Sequence, residues 1–300
     1  MPASARPLFD PFQELLRSRA RRRWARRYRR MLLESDIAFV SHTKSGRTWL
    51  RGMLSHLYHQ RYGIPESLVI KHDSFRRLEP ACPVVFFARD TTLPSYSRWR
   101  AETPIPHETP CLFLVRDPRD VAVSFYFHLH KRASDAELDR KEIQPADLEL
   151  ALPAFCTAPQ LGVPRVIEHM NRWRAEIAMR PNALLLRYED LRAEPARKLR
   201  EVAAWMGFAA TDAEIAEAVR FGSFDSMRER ERDGRFEGAD LTPRDHGDTD
   251  SFKVRRGVIG GYRDYFDVAQ AEALDALVAE RLDPFFGYGR RTDEQRSGTA

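Results

Sequence analysis

The sequence predicts an α/β fold: one three-layer domain whose P-loop-like parallel central sheet is flanked by helices. Four apolar runs, at residues 37–40, 84–87, 112–115 and 183–186, are short, bounded by polar residues or proline, and apolar on both faces. Strands buried inside a parallel sheet read this way. Helical periodicity fills the intervals, and strands alternating with helices pair in parallel and gather ligands at the carboxyl ends of the strands. The stretch IAFVSHTKSGRTW gives the order strand, loop, helix, with Lys44, Ser45, Gly46, Arg47 and Thr48 in the loop.

Taken from the amino end, the chain of 300 residues is 43% hydrophobic, enough for one large domain with a sizeable core. We expect a basic helical segment over 1–36, the main domain over 37–290 and a flexible tail over 291–300. From Arg17 to Arg30 the sequence RSRARRRWARRYRR carries nine arginines and no acid, while the net charge is only +5, so the rest of the chain is net acidic. Trp24 and Tyr28 lie four apart with Met31 and Leu32 following, which makes one aromatic stripe amid arginine. The segment suits a solvated helix packed on the domain, or a contact with a membrane surface or acidic partner. Nucleic acid is not expected, because no recognition motif accompanies the charge. No apolar run approaches the ~20 residues of a membrane span. Three scattered cysteines, Cys82, Cys111 and Cys156, argue for reduced thiols and a cytoplasmic protein, peripheral to a membrane if the arginine run binds one.

After the first strand, Trp49, Leu50, Met53, Leu54, Leu57 and Tyr58 recur at helical spacing up to Gly63. After the third, Asp117 and Pro118 supply an N-cap and a first-turn proline for the helix through VAVSFYFHLH. After the fourth, a helix starts near Pro195 and stops at Gly207. Residues 225–251 are charged, punctuated by Gly and Pro and nearly free of aliphatics, and read as a mobile loop.

Three places carry chemistry. The loop after the first strand turns amides and a helix N-terminus toward one point, which favours phosphate or sulfate. Its lysine precedes the glycine, unlike the G-x-x-x-x-G-K-[ST] loop of nucleotide triphosphatases. Arg116 leaves the end of the third strand with Ser124 eight residues on, a charge-assisted pair for a second phosphate. Arg255 and Arg256 stand beside Gly257, with Gly260 and Gly261 beyond, so that fork donors meet unobstructed amides.

In these places, and in the same order over roughly residues 37–290, the chain resembles the sulfotransferases that use 3′-phosphoadenosine 5′-phosphosulfate. KSGRTW resembles their 5′-phosphosulfate loop, RDPRDVAVS their 3′-phosphate motif, RRGVIGGYR their R-K-G-x-x-G segment, and RYEDLRAEP a weaker fourth motif whose tyrosine is Tyr188 here. The resemblance implies transfer of a sulfuryl group from that donor, as co-substrate and without a metal, to a hydroxyl or amine of a small-molecule, lipid or glycan acceptor. It implies donor contacts from Lys44, Ser45, Gly46, Arg47, Thr48, Trp49, Arg116, Ser124, Tyr188, Arg255, Arg256 and Gly257. Lys44 would meet the charge growing on the leaving phosphate.

The chain departs from the family pattern at His42-Thr43, where Tyr-Pro is usual, at Arg47, where threonine is common, and at Arg89, where the family places its histidine base. Arginine stays protonated and cannot take a proton. Asp90, His72 and His107 are the candidates for that role, and Arg89 could hold the sulfuryl oxygens instead. His128, His130 and His169 fall in helical patterns and read as structural. A small-molecule kinase and a donor-binding protein without catalysis are the alternative functions. Neither the acceptor nor the oligomeric state is legible.

Overall fold

The computed structural model of the protein describes residues 23, 26–89, 105–237, 247–248, 251–253 and 255–289. Four strands, β1 (Ile37–Ser41), β2 (Val85–Arg89), β3 (Cys111–Val115) and β4 (Ala183–Arg187), form a parallel sheet in the order β2-β1-β3-β4. Every expected run is a strand, each with its ends moved by a residue or two. The register pairs Ser41 with Arg89 and with Leu114, so the carboxyl ends of the three neighbouring strands finish level.

Alternation along each strand divides the core into two halves. Ala38, Val40, Phe86, Phe113 and Val115 face one layer of helices, while Ile37, Phe39, Val85, Leu112 and Leu114 face the other. Helix α1 (Arg47–Tyr62) covers the second face through Leu50, Met53, Leu54 and Leu57, and ends at Gly63 in the left-handed region. Helix α2 (Pro118–Lys131) covers the first face; the Asp117 side chain caps it by accepting from the Arg119 amide at 2.9 Å. Helix α3 (Val163–Met179) lies beside α2, and the short α4 (Tyr188–Ala193) follows β4 directly. Helices α5 (Pro195–Trp205) and α6 (Asp212–Phe221) pack with α1, and α8 (Val268–Arg281), near the carboxyl end, packs on α3.

The basic segment is helical where it is described, and one expectation, the loop over 225–251, needs correction. Residues 26–33 are helical and dock through Tyr28, whose ring meets Phe86 edge-on at 4.5 Å, and through the buried Leu32, with Arg26, Arg27, Arg29 and Arg30 outward. The described part of the basic segment is therefore a packed helix with a solvated face; Trp24 lies outside the described residues. The loop expected over 225–251 begins as α7 (Phe224–Arg232), because Ser223 caps that turn by accepting from the Ser226 amide and Met227 anchors it among Val69, Phe221 and Phe236. Residues 238–246 and 249–250 of that span lie outside the described residues. The three cysteines are buried and free. Among the described residues no helix is long and apolar enough to cross a membrane.

Candidate active site

The turn between β1 and α1 has its shape because two of its residues sit in the left-handed region, Lys44 at φ 77° and Gly46 at φ 94°. Gly46 is the N-cap of α1, and no side chain caps the helix and no acid occupies its first turn. A 16-residue helix thus opens its positive end at the carboxyl edge of the sheet. Gly46 also permits a close approach: a β-carbon there would lie 2.5 Å from Cδ2 of Tyr188.

That edge holds a cleft of about 280 Å³. Its walls include Lys44, Gly46, Arg47, Thr48 and Trp49 from the loop, Arg116 and Ser124 from β3 and α2, Tyr188 from α4, and Arg255, Arg256 and Gly257 from the segment after α7. Residues more than 200 positions apart in the chain thus line one concavity.

Aromatic rings organise the middle of the cleft. The Tyr188 ring meets Trp49 at 5.6 Å, and the Arg116 guanidinium lies 4.3 Å from the Tyr188 ring centre. Trp49 is fixed from behind by donating its indole N–H to the Gly222 carbonyl at 2.6 Å. Phe224 completes the group, packed near Gly257.

The cationic walls are held by acids placed outside the cleft's centre. The Asp120 carboxylate, 4% exposed, accepts from the Gly260 amide at 2.9 Å and the Tyr262 amide at 3.0 Å, and pairs with Arg116 at 3.4 Å. Burial raises its pKa above the usual carboxylate value, which Arg116 partly opposes. One side chain therefore ties the strand-end arginine to the glycine segment. Arg116 donates once more, to the Val258 carbonyl at 3.1 Å, yet its buried Nε has no hydrogen-bond partner. Arg255 donates to the Tyr265 hydroxyl and lies 4.3 Å from the Phe127 ring centre, while Arg256 pairs with Asp264. Arg132 pairs with the fully buried Glu231, which also accepts from the Lys253 amide.

No described group accepts a hydrogen bond from the Lys44 ammonium. Burial holds its pKa well below the ordinary lysine value, and the positive charges of Lys253, Arg132 and Arg255 push it further down. Cations outnumber the two acids that line this cleft, Asp120 and Glu137, and such an excess of positive charge suits a polyanion.

Four sequence expectations fare differently. Ser45 is 2% exposed and does not line the cleft; its amide is spent on the His42 carbonyl within the turn. Arg47 lines the cleft but turns its guanidinium to the Ser41 hydroxyl and the Ala88 carbonyl, bracing the ends of β1 and β2. His72 cannot serve the site: it bridges Val85, the first residue of β2, and its ring meets the Met31 carbonyl at 3.0 Å, at the amino edge of the sheet. His107 likewise precedes β3 and meets the Met179 carbonyl. Of the two groups at the end of β2, Arg89 is its last residue and Asp90 lies outside the described residues. The sequence reading missed Arg132, Lys253, Gly222, Phe224 and His128, all of which line the cleft. His128 could have been found: four residues beyond Ser124, it shares that helix face.

Residues 107–286 match the sulfotransferase domain. The chain is 26% identical over 265 residues to cytosolic sulfotransferase 16 of Arabidopsis thaliana, covering 83% of this chain and 76% of that protein. It is 21% identical to flavonol 3-sulfotransferase of Flaveria bidentis, over 83% and 82% of the two chains. The fold is similar to that of mouse sulfotransferase SULT7A1, solved in complex with PAP, with a TM-score of 0.54 at 21% identity over 88% of this chain and 87% of that one.

Proposed function

The chain belongs to the sulfotransferase family, and on that premise we propose that it takes a sulfuryl group from 3′-phosphoadenosine 5′-phosphosulfate and passes it to a hydroxyl or amine of a small-molecule acceptor. The observation that carries the donor assignment is the meeting of two separate anion sites across one aromatic cluster in a single cleft. The uncapped start of α1, with Lys44 and Thr48, suits the 5′-phosphosulfate. Arg116, with its unpartnered Nε, and Ser124, Arg255 and Gly257 suit the 3′-phosphate. Trp49, Tyr188 and Phe224 suit the adenine between them. A flavonol, the acceptor named for one relative, exemplifies the acceptor class, and relatives called cytosolic support action in the cytoplasm.

Sulfuryl transfer, like phosphoryl transfer, runs through a loose in-line arrangement in which positioning and charge stabilisation dominate. Lys44 and the loop amides would hold the phosphate oxygen that gains charge as its bond to sulfur breaks. Arg116 and Ser124 would hold the far phosphate, so that binding remote from the reacting atoms fixes the geometry at them.

Calorimetry tests the donor assignment. Adenosine 3′,5′-bisphosphate should bind roughly ten- to hundredfold more tightly than AMP, the worth of a charge-assisted contact of about 1.5–3 kcal/mol, and Arg116→Ala should erase most of the difference. Equal affinity for the two nucleotides, or preference for ATP with magnesium, refutes the proposal.

A further inference from the structure

The reaction needs a group to take the acceptor's proton, and β2 ends in Arg89 where the resemblance calls for histidine. The cleft nevertheless contains an imidazole. His128 lies on α2 one turn beyond Ser124, in the cleft wall, with its side chain 10% exposed. Its Nε2 stands 3.0 Å from the Glu137 carboxylate, and Lys141 approaches the same carboxylate oxygen at 3.9 Å. A carboxylate only accepts, so Nε2 carries the hydrogen and Nδ1 presents a lone pair. That Nδ1 is buried and has no hydrogen-bond partner. A buried lone pair in the wall of a binding cleft, with its opposite nitrogen held by a carboxylate, is the arrangement of an oriented general base.

We propose that His128 accepts the acceptor's proton and that Glu137 orients it, an inference that rests on the sulfuryl-transfer reading above. As the acceptor oxygen bonds to sulfur, its hydrogen passes to Nδ1 of His128. The electron pair of the breaking S–O bond goes to the 5′-phosphate oxygen, which Lys44 faces. The imidazolium that forms is paired with Glu137 through Nε2–H. Among the described residues, the charged groups acting on the ring are Lys44 from the loop, and Glu137 and Lys141 from the helix Asp135–Arg140 and its end. Burial and Lys44 hold the imidazole pKa down at about 4, so the ring is in its basic form at neutral pH. Contact with the acceptor requires the ring to swing on its Glu137 hydrogen bond.

Two phenols of different acidity separate a base from a structural residue. 2-Naphthol must lose its proton during transfer, whereas 4-nitrophenol is largely ionised beforehand in mildly alkaline buffer. His128→Gln should lower kcat on 2-naphthol by about 10²–10⁴-fold and on 4-nitrophenol by only a few-fold, with adenosine 3′,5′-bisphosphate binding unchanged. Glu137→Gln should show the same selectivity with about a tenfold loss on 2-naphthol. Equal losses on both phenols, unaltered activity, or the selective pattern in Asp90→Asn instead would overturn the assignment. Nitrogen NMR supplies a readout that needs no turnover. In wild-type protein holding adenosine 3′,5′-bisphosphate, the Nδ1 resonance of His128 should move when 2-naphthol is added, and a resonance that stays in place overturns the proposal. Wild-type protein that binds the bisphosphate but sulfates neither phenol counts against the transfer reading, while the resonance still decides whether His128 meets the acceptor.

Discussion

Gly46→Ala should damage nucleotide binding and not merely stability. A β-carbon at this position would meet Cδ2 of Tyr188 at 2.5 Å and Cε2 at 2.9 Å, against a comfortable carbon–carbon separation of about 3.5–4.0 Å. The ring must therefore retreat by about 1 Å. Tyr188 is 6% exposed and is held between the loop, the edge of Trp49 and the Arg116 guanidinium, so it cannot move without displacing the adenine wall and the phosphate arginine. Overpacking of this kind costs about 1–3 kcal/mol, and a left-handed φ on alanine adds about 1–2 kcal/mol. At about 2 °C per kcal/mol for a chain of this size, the melting temperature should fall by roughly 4–10 °C. Calorimetry should show adenosine 3′,5′-bisphosphate bound at least about tenfold more weakly, since one to two kcal/mol of misplacement reaches the ligand. Gly63→Ala is the control: its φ is 65°, but nothing lies within 4 Å of the added carbon. It should carry the backbone cost alone and bind nucleotide normally. If Gly46→Ala melts with the control and binds within twofold of wild type, the packing of Tyr188 on the loop is not what shapes the site.

Lys44→Ala should reduce turnover by about 10²–10³-fold while nucleotide affinity falls much less, because the ammonium meets charge that grows only in the transition state; steady-state kinetics beside calorimetry would expose the opposite pattern. Acid should weaken the fold before ordinary carboxylate titration does. Burial pushes His59 and His128 down to about 4, below the value of 6.5 in the unfolded chain, so the unfolded state binds more protons between those values. The stability conferred by their neutral forms is complete above about pH 6.5 and is lost progressively toward pH 4, up to about 3 kcal/mol for each. Urea denaturation across that range should show the slope, and a flat midpoint would mean that these rings are not held neutral.

The sheet and the order of its strands' contents were legible because a buried parallel strand carries its signal locally, in a few consecutive apolar residues. The cationic clefts were legible where glycine and arginine adjoin, as at Arg255–Gly257, or where a strand end and a helix cap coincide, as at Arg116 and Asp117. The base was not. Which end of the sheet a loop histidine occupies depends on pairing that no local pattern reveals, and the single bridge from His72 to Val85 sends that residue to the far edge. His128 looked like a core position because helical spacing records only that a face is covered, without telling core from cleft wall. Ser45 shows the reverse error, a polar side chain in the right loop that the left-handed turn at Lys44 and Gly46 directs inward.

The depressed Lys44 ammonium makes the cleft a proton-linked receptor. Where buffer pH approaches its lowered pKa, part of the protein population holds the neutral amine, and a phosphate arriving beside it restores the charged form. Association then draws a fraction of a proton from the medium. The apparent binding enthalpy becomes a function of the buffer's own ionisation heat, and affinity declines as alkalinity rises even though the nucleotide itself no longer titrates. The burial and the crowding of cations that together lower this lysine thus write the presence of ligand into the solution as a measurable uptake of protons.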